Sequence, residues 1–203
     1  MSERSKITVA RFDRGVVVRV EGAGTMLEGP VIHAFAERML AAPPDAKPAD
    51  VRVPDVAKTV TKTGEQPLPE ASPDARMDQV VLDLSACTYI DSTFLGGLVS
   101  LFKRHVSGRP DRFAIYAPAP LRQSLFGTSR LDRVFPFVDE LPLVGAERLP
   151  LEVQSTTSRD ELGSYVVECH RRLAELGGAE AETYGRVAEA IAQELTVRRK
   201  QSQ

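Results

Sequence analysis

From Val80 to Arg104 the chain reads VVLDLSACTYIDSTFLGGLVSLFKR. Val80 to Leu84 is an apolar run with few polar breaks, the pattern of a central strand buried on both faces. After a short loop, Leu95, Leu98, Val99 and Phe102 fall on one face of a helix that starts at Ser92. A buried strand feeding an amphipathic helix within so few residues predicts a β–α unit and an α/β fold. Gly96 and Gly97 stand inside that helix, where each costs about 1 kcal/mol relative to alanine. A close approach of the helix start to the sheet would explain them. At the junction, Asp91-Ser92-Thr93 places an acid and two hydroxyls at a helix N-terminus, where the backbone N–H groups and the dipole favour negative charge. A phosphate on Ser92 or Thr93 would suit that field.

The flanking segments extend the pattern. Ile7 to Asp13 alternates apolar and polar residues, Asp13-Arg14-Gly15 signals a turn, and Gly15 to Glu21 is a second strand, together an antiparallel hairpin. Gly22 to Thr25 reads as a glycine-bearing loop. Pro30 opens a helix to about Ala41 with Val31, Phe35 and Met39 in its apolar stripe and Ala34 beside it. Arg112 to Tyr116 is the next strand. A helix runs from Pro118 or Pro120 to Phe126, ended by Gly127, and Val134 to Val138 is a last strand that Pro136 assigns to an edge. The order β-β-α-β-α-β-α-β predicts a mixed sheet with helices packed on it.

Two segments stand apart. Between 43 and 78 lie Pro43, Pro44, Pro48, Pro54, Pro67, Pro69 and Pro73, half of the chain's 14 prolines, with no aromatic residue. This composition predicts a disordered insertion, because it offers little apolar surface to offset the entropy of ordering. After residue 146 the texture turns helical. Ser158 and Glu161 form a capping-box signature. Leu162, Tyr165, Val166, Cys169, Leu173 and Leu176 make one stripe, Gly177-Gly178 breaks it, and Tyr184, Val187, Ala188, Ile191 and Leu195 make a second. The expected organisation is one domain over 1–146 and a C-terminal α-helical hairpin over 147–203. The hairpin's stripes need partners on the main domain, on each other or on a second copy, which would make a homodimer.

Composition narrows the function. The 203 residues are 42% hydrophobic and 27% charged, with a net charge of −2, so no global field draws the chain to nucleic acid or to an anionic membrane. There is no apolar run of membrane-spanning length and no signal-peptide core, which predicts a cytoplasmic protein. Cys87 and Cys169 fit no metal spacing. His33, His105 and His170 lie on separate elements, each expected at the surface or partly buried, and no metal or cofactor site is expected. Ser92 lies in no nucleophile elbow and has no evident general base, so an enzyme is not expected. Lys103, Arg104, His105, Arg109 and Arg112 complement a helix C-terminus.

The blocks LDLSACTYIDSTFLGGLVSLFKR and LRQSLFGTSRLDRVFPFVDE, in this order and context, resemble the STAS domain of bacterial anti-sigma factor antagonists over roughly Ile7 to Leu141. The resemblance implies a STAS-like α/β fold and a partner-switching role without catalysis. An anti-sigma factor that is also a serine kinase would phosphorylate Ser92, with Thr93 the second choice, and a serine phosphatase would reverse it. Asp91, Thr93, Phe94, Leu95 and Tyr89, with Gly24 and Thr25 of the loop before the first helix, would contact the partner. Phe94 stands where the family has glycine, which is expected to alter the surface beside Ser92. A stressosome-like scaffold and a regulatory STAS subunit of a lipid transporter are the alternative roles the resemblance allows.

Overall fold

The structure, a computed structural model, describes residues 5–41, 79–106, 109–127, 131–144, 147–151 and 158–201. The insertion expected over 43–78 lies outside the described residues. Strands β1 (Lys6–Phe12) and β2 (Gly15–Gly24) form the predicted hairpin, in which Lys6 pairs with Glu21 and Phe12 with Gly15. Helix α1 (Gly29–Ala41) leads to β3 (Gln79–Ile90), and α2 (Ser92–His105) leads to β4 (Phe113–Tyr116). Helix α3 (Ala119–Phe126) precedes β5 (Phe137–Val138). Strand β6 (Leu149–Pro150) is followed by α4 (Arg159–Ala174) and α5 (Ala181–Gln201).

The six strands lie in the order β5-β4-β3-β2-β1-β6. β2, β3, β4 and β5 are parallel neighbours, and β1 runs antiparallel to both β2 and β6. Each parallel crossover steps the same way along the sheet, so the right-handed rule puts α1, α2 and α3 on one face. The core fills the space between, with Val18, Leu82 and Ile115 from the strands against Phe35, Leu98 and Phe126 from the helices, all at most 3% exposed. The mixed sheet with packed helices agrees with the sequence pattern, and β5 is at an edge as Pro136 required.

Several boundaries differ from the expectation. β2 does not end at Glu21. Gly22 to Gly24 continue it and pair with Cys87, Tyr89 and Ile90 across two register shifts. The glycines that look like a loop serve a bulge instead, in which Gly22 takes a φ of 87°. β3 likewise runs on to Ile90, so Asp91 alone separates it from α2. In α1 the buried stripe is Ile32, Phe35, Ala36, Met39 and Leu40, while Ala34 is exposed and Val31 only partly buried. β5 is two residues long, not five, and β6, a two-residue edge strand containing proline, has no sequence signal.

The Ser158–Glu161 capping box is present. Glu161 N donates to Ser158 Oγ at 3.2 Å, and Ser158 N to Glu161 Oε2 at 2.8 Å. Gly177 and Gly178 adopt φ of 75° and 92° and turn the chain between α4 and α5. α4 lays Val166, Cys169 and Leu173, all at most 9% exposed, inside the chain, with Leu173 part of the main core.

Glu37 of α1 clamps the end of α2. Its Oε1 accepts from Arg104 Nη1 at 2.6 Å and lies 3.5 Å from His105 Nε2, while His33 Nδ1 lies 3.8 Å from Oε2. Burial holds His33 below its ordinary value of 6.5, with Arg104 and His105 adding to the effect of burial against the pull of Glu37. Glu37 is pushed up most by partial burial but ends below 4.5, because the hydrogen bonds from Arg104 and His105 and the charges of His33 and Arg104 together outweigh that push. Both groups bind more protons unfolded than folded, so both favour the fold at higher pH. The His33 contribution is complete above 6.5 and is lost as pH falls through its folded value. The Glu37 contribution follows below 4.5. Thermal midpoints should therefore fall in two stages on acidification from pH 7, and His33→Gln should flatten the first stage only. A first stage unchanged in His33→Gln would refute the assignment.

Candidate functional site at the start of helix α2

Asp91 organises the junction. Its backbone is extended (φ −93°, ψ 170°), and its Oδ1 accepts from Phe94 N at 2.7 Å, a side-chain cap on α2. Its Oδ2 accepts from Met26 N at 2.9 Å, and its own N–H donates to Gly24 O at 3.0 Å. One carboxylate thus starts the helix and fastens the turn between β2 and α1. That turn has its own acceptor: Glu28, 7% exposed, takes hydrogen bonds from Thr25 N at 3.0 Å and Thr25 Oγ1 at 2.6 Å. Its acid is turned inward.

Ser92 is the first residue of α2 and is partly buried. Its Oγ lies 3.0 Å from Nε2 of His170 on α4. His170 Nδ1 lies 2.9 Å from the Val166 carbonyl oxygen. A carbonyl only accepts, so Nδ1 carries a proton; in the neutral ring Nε2 then presents its lone pair and the Ser92 hydroxyl donates to it. The expectation of a surface or partly buried histidine is corrected at His170, which is 6% exposed and is the hydrogen-bond partner of Ser92. A contact across 78 residues of sequence leaves no local pattern, so only the docking of α4 shows it.

The two glycines of α2 face α4. A Cβ on Gly96 would sit 2.3 Å from the Cys169 carbonyl oxygen, and one on Gly97 would sit 2.2 Å from the Tyr165 hydroxyl. They permit a backbone-level crossing of α4 over α2; the close approach anticipated for the sheet is made with α4. Tyr165 stands between Gly97 and Gly29, beside His33, and its buried hydroxyl has no nitrogen or oxygen partner among the described residues, only the neighbouring Cys169 thiol. Burial pushes that hydroxyl far above its ordinary value, and pushes the neighbouring Cys169 thiol up to about 12. Burial also raises Cys87. Neither thiol is in a setting that favours thiolate.

The other anticipated contact residues divide by exposure. Tyr89 is 57% exposed and Thr25 partly so. Thr93, Leu95 and Gly24 are buried, and Phe94 is 1% exposed. Phe94 does not reshape the surface as its position suggested, because its ring fills the core. A Cβ on Gly24 would meet Phe94 Cε2 at 3.0 Å, so the glycine leaves room for the ring. The sequence pattern also passed over Met26 (42% exposed) and Leu27 (55% exposed), in the turn whose Met26 N–H Asp91 holds. Two adjacent apolar residues in the turn after Thr25 were the available signal. Among the described residues no group of three or more His, Cys, Asp or Glu could hold a metal ion, and no helix is long and apolar enough to cross a membrane.

These contacts separate a core role from a surface role for Phe94. Phe94→Ala should lower stability by about 3–5 kcal/mol, the cost of emptying a buried aromatic site, measured by denaturant unfolding. A loss below about 1 kcal/mol would place the ring outside the core. Asp91→Ala should cost about 1–2 kcal/mol through the lost cap.

No protein-family model matches the chain, and no curated protein does. Among solved structures, the crystal structure of an anti-sigma factor antagonist from Mycobacterium paratuberculosis is similar at 20% sequence identity, over 70% of this chain and 91% of that one, with a TM-score of 0.44.

Proposed function

We propose that this chain is a partner-switching module of the anti-sigma factor antagonist type, a binding protein whose switch is the Ser92 hydroxyl. The observation that carries the reading is Ser92 at the first turn of α2, next to the capping carboxylate of Asp91, in the two sequence blocks that resemble the STAS signature. Exposed apolar side chains at Met26 and Leu27, in the turn held by Asp91, and at Tyr89, near the end of β3, supply a surface for a protein partner. The partner is an anti-sigma factor that is also a serine kinase, a serine phosphatase resets the switch, and the exchange takes place in the cytoplasm.

A phosphate on Ser92 would add about −1.5 to −2 charges next to Asp91. The cap is already made by Asp91, which takes the Phe94 amide, so helix amides that the sequence offered to a phosphate are in part occupied. Phosphorylation then acts by repulsion and bulk at the docking face more than by a new internal bond. Thr93, 4% exposed, begins the run of α2 that is buried through Leu101, whereas Ser92 lies outside that run, which favours Ser92 as the acceptor.

Incubation of the full chain with a serine kinase of this type and ATP should place phosphate on the peptide carrying Ser92. Ser92→Ala should abolish the label and Thr93→Val retain it. Ser92→Asp should weaken binding to the same kinase at least tenfold, about 1.4 kcal/mol. Label that persists in Ser92→Ala, or undiminished binding by Ser92→Asp, would sink the assignment.

A further inference from the structure

We propose that the hairpin of α4 and α5 is a latch over Ser92: in the conformation described, α4 closes the hydroxyl to a phosphoryl donor and a docking partner, and it must lift from α2 to expose both. The regulatory meaning of the latch rests on Ser92 being the switch hydroxyl; its geometry does not. The Ser92 Oγ to His170 Nε2 separation of 3.0 Å is a direct hydrogen bond, with no space between the atoms for a phosphorus and its oxygens. The imidazole above is 6% exposed, held from behind by Val166 O at 2.9 Å, with the Tyr184 ring of α5 centred 6.1 Å away. The lid over the hydroxyl is thus built from both helices of the hairpin.

The rest of the contact lies on the same half of α2. Gly96 and Gly97 let the Cys169 backbone and the Tyr165 side chain approach the helix directly. Any partner that reads this face has to displace α4. The closed state is held by Cys169 and Leu173, 1% and 2% exposed, and by the Lys103–Glu175 ion pair at 3.1 Å. Opposing it is Tyr165, whose buried hydroxyl has only the Cys169 thiol, a weak hydrogen-bonding group, as a neighbour among the described residues and gains water when α4 lifts. α5 adds only a light anchor, since Ala188 is its sole buried residue among those described. A contact held by a few apolar residues and weakened by a weakly bonded hydroxyl is the kind of element that opens locally while the sheet stays folded.

The test is the reactivity of a thiol at position 92, which needs no kinase, so it can fail or succeed independently of the phosphorylation reading. In the full chain, Ser92→Cys is treated with a maleimide, and label is counted on the peptide carrying residue 92, since Cys87 and Cys169 are themselves buried. It should react at least tenfold more slowly than a short peptide of the same local sequence. Gly96→Ala, which drives a methyl into the Cys169 carbonyl, should restore the rate at least tenfold when combined with Ser92→Cys. His170→Ala, which removes the lid with less risk to the fold, should do the same. Hydrogen exchange of β2 and β3 is followed in parallel to establish that the sheet remains protected. Peptide-like reactivity of Ser92→Cys in the otherwise native chain would overturn the latch. So would slow labelling that neither second substitution relieves while the sheet stays protected.

Discussion

Helix α2 is buried from two sides, and that constraint sets the rest of the structure. Thr93 to Leu101 are all buried, with the sheet below and α4 above. A helix in that position needs apolar residues toward the sheet and almost no side chain toward a crossing helix. Leu95, Leu98, Val99 and Leu101 join the apolar core, and Gly96-Gly97 meet the second demand. The glycines cost helix propensity of about 1 kcal/mol each, a loss that the burial of Cys169 and Leu173 offsets. The helix is then started at a single residue by Asp91, whose carboxylate also fixes Met26 of the preceding turn. Strand end, turn and helix start are therefore one hydrogen-bonded unit, and whatever happens to Ser92 happens at its edge.

Where local chemistry is self-contained, the sequence was readable. The hairpin of β1 and β2, the β3–α2 unit, the Ser158–Glu161 box and the Gly177-Gly178 turn each need only residues that are near one another in the chain, and all are present. The extension of β2 through Gly24 was hidden because a glycine-rich segment looks the same as loop or bulge until its parallel partner, the far half of β3, is in place. β6 was invisible for a simpler reason: two residues, one of them proline, are recruited to an edge by the neighbouring β1 rather than by their own propensity.

At the site the division follows the same line. Asp91 as a cap could be inferred from position, since an aspartate before an apolar helix serves that role through its own helix. Ser92 bonded to His170 could not, because the pairing depends on which surface the C-terminal stripe selects, and the main sheet, a second copy and α2 all offered apolar surface. The signal was present in Gly96-Gly97 but pointed only to a close neighbour, not to which one. Phe94 shows the converse limit. Its departure from the family pattern looked like a change of surface, whereas its ring is a core element matched to the missing side chain of Gly24.

That match changes how the substitution bears on switching. A phenyl ring in the first turn of α2 ties the helix start to β2 and to Ile90 at the end of β3, since a side chain on Gly24 would collide with both Phe94 and Ile90. The helix N-terminus is therefore anchored from below by packing and from the side by the Asp91 hydrogen bonds. A perturbation at Ser92 then has little freedom to melt the first turn, because melting would withdraw Phe94 from the core at a cost of several kcal/mol (about 3–5 by analogy with aromatic truncations). The softer element is α4, which holds the same hydroxyl through one hydrogen bond, worth about 1 kcal/mol net, and carries a Tyr165 hydroxyl whose neighbour among the described residues is only the weakly bonding Cys169 thiol. Strain introduced at Ser92 is thus directed outward into the hairpin and not inward into the sheet.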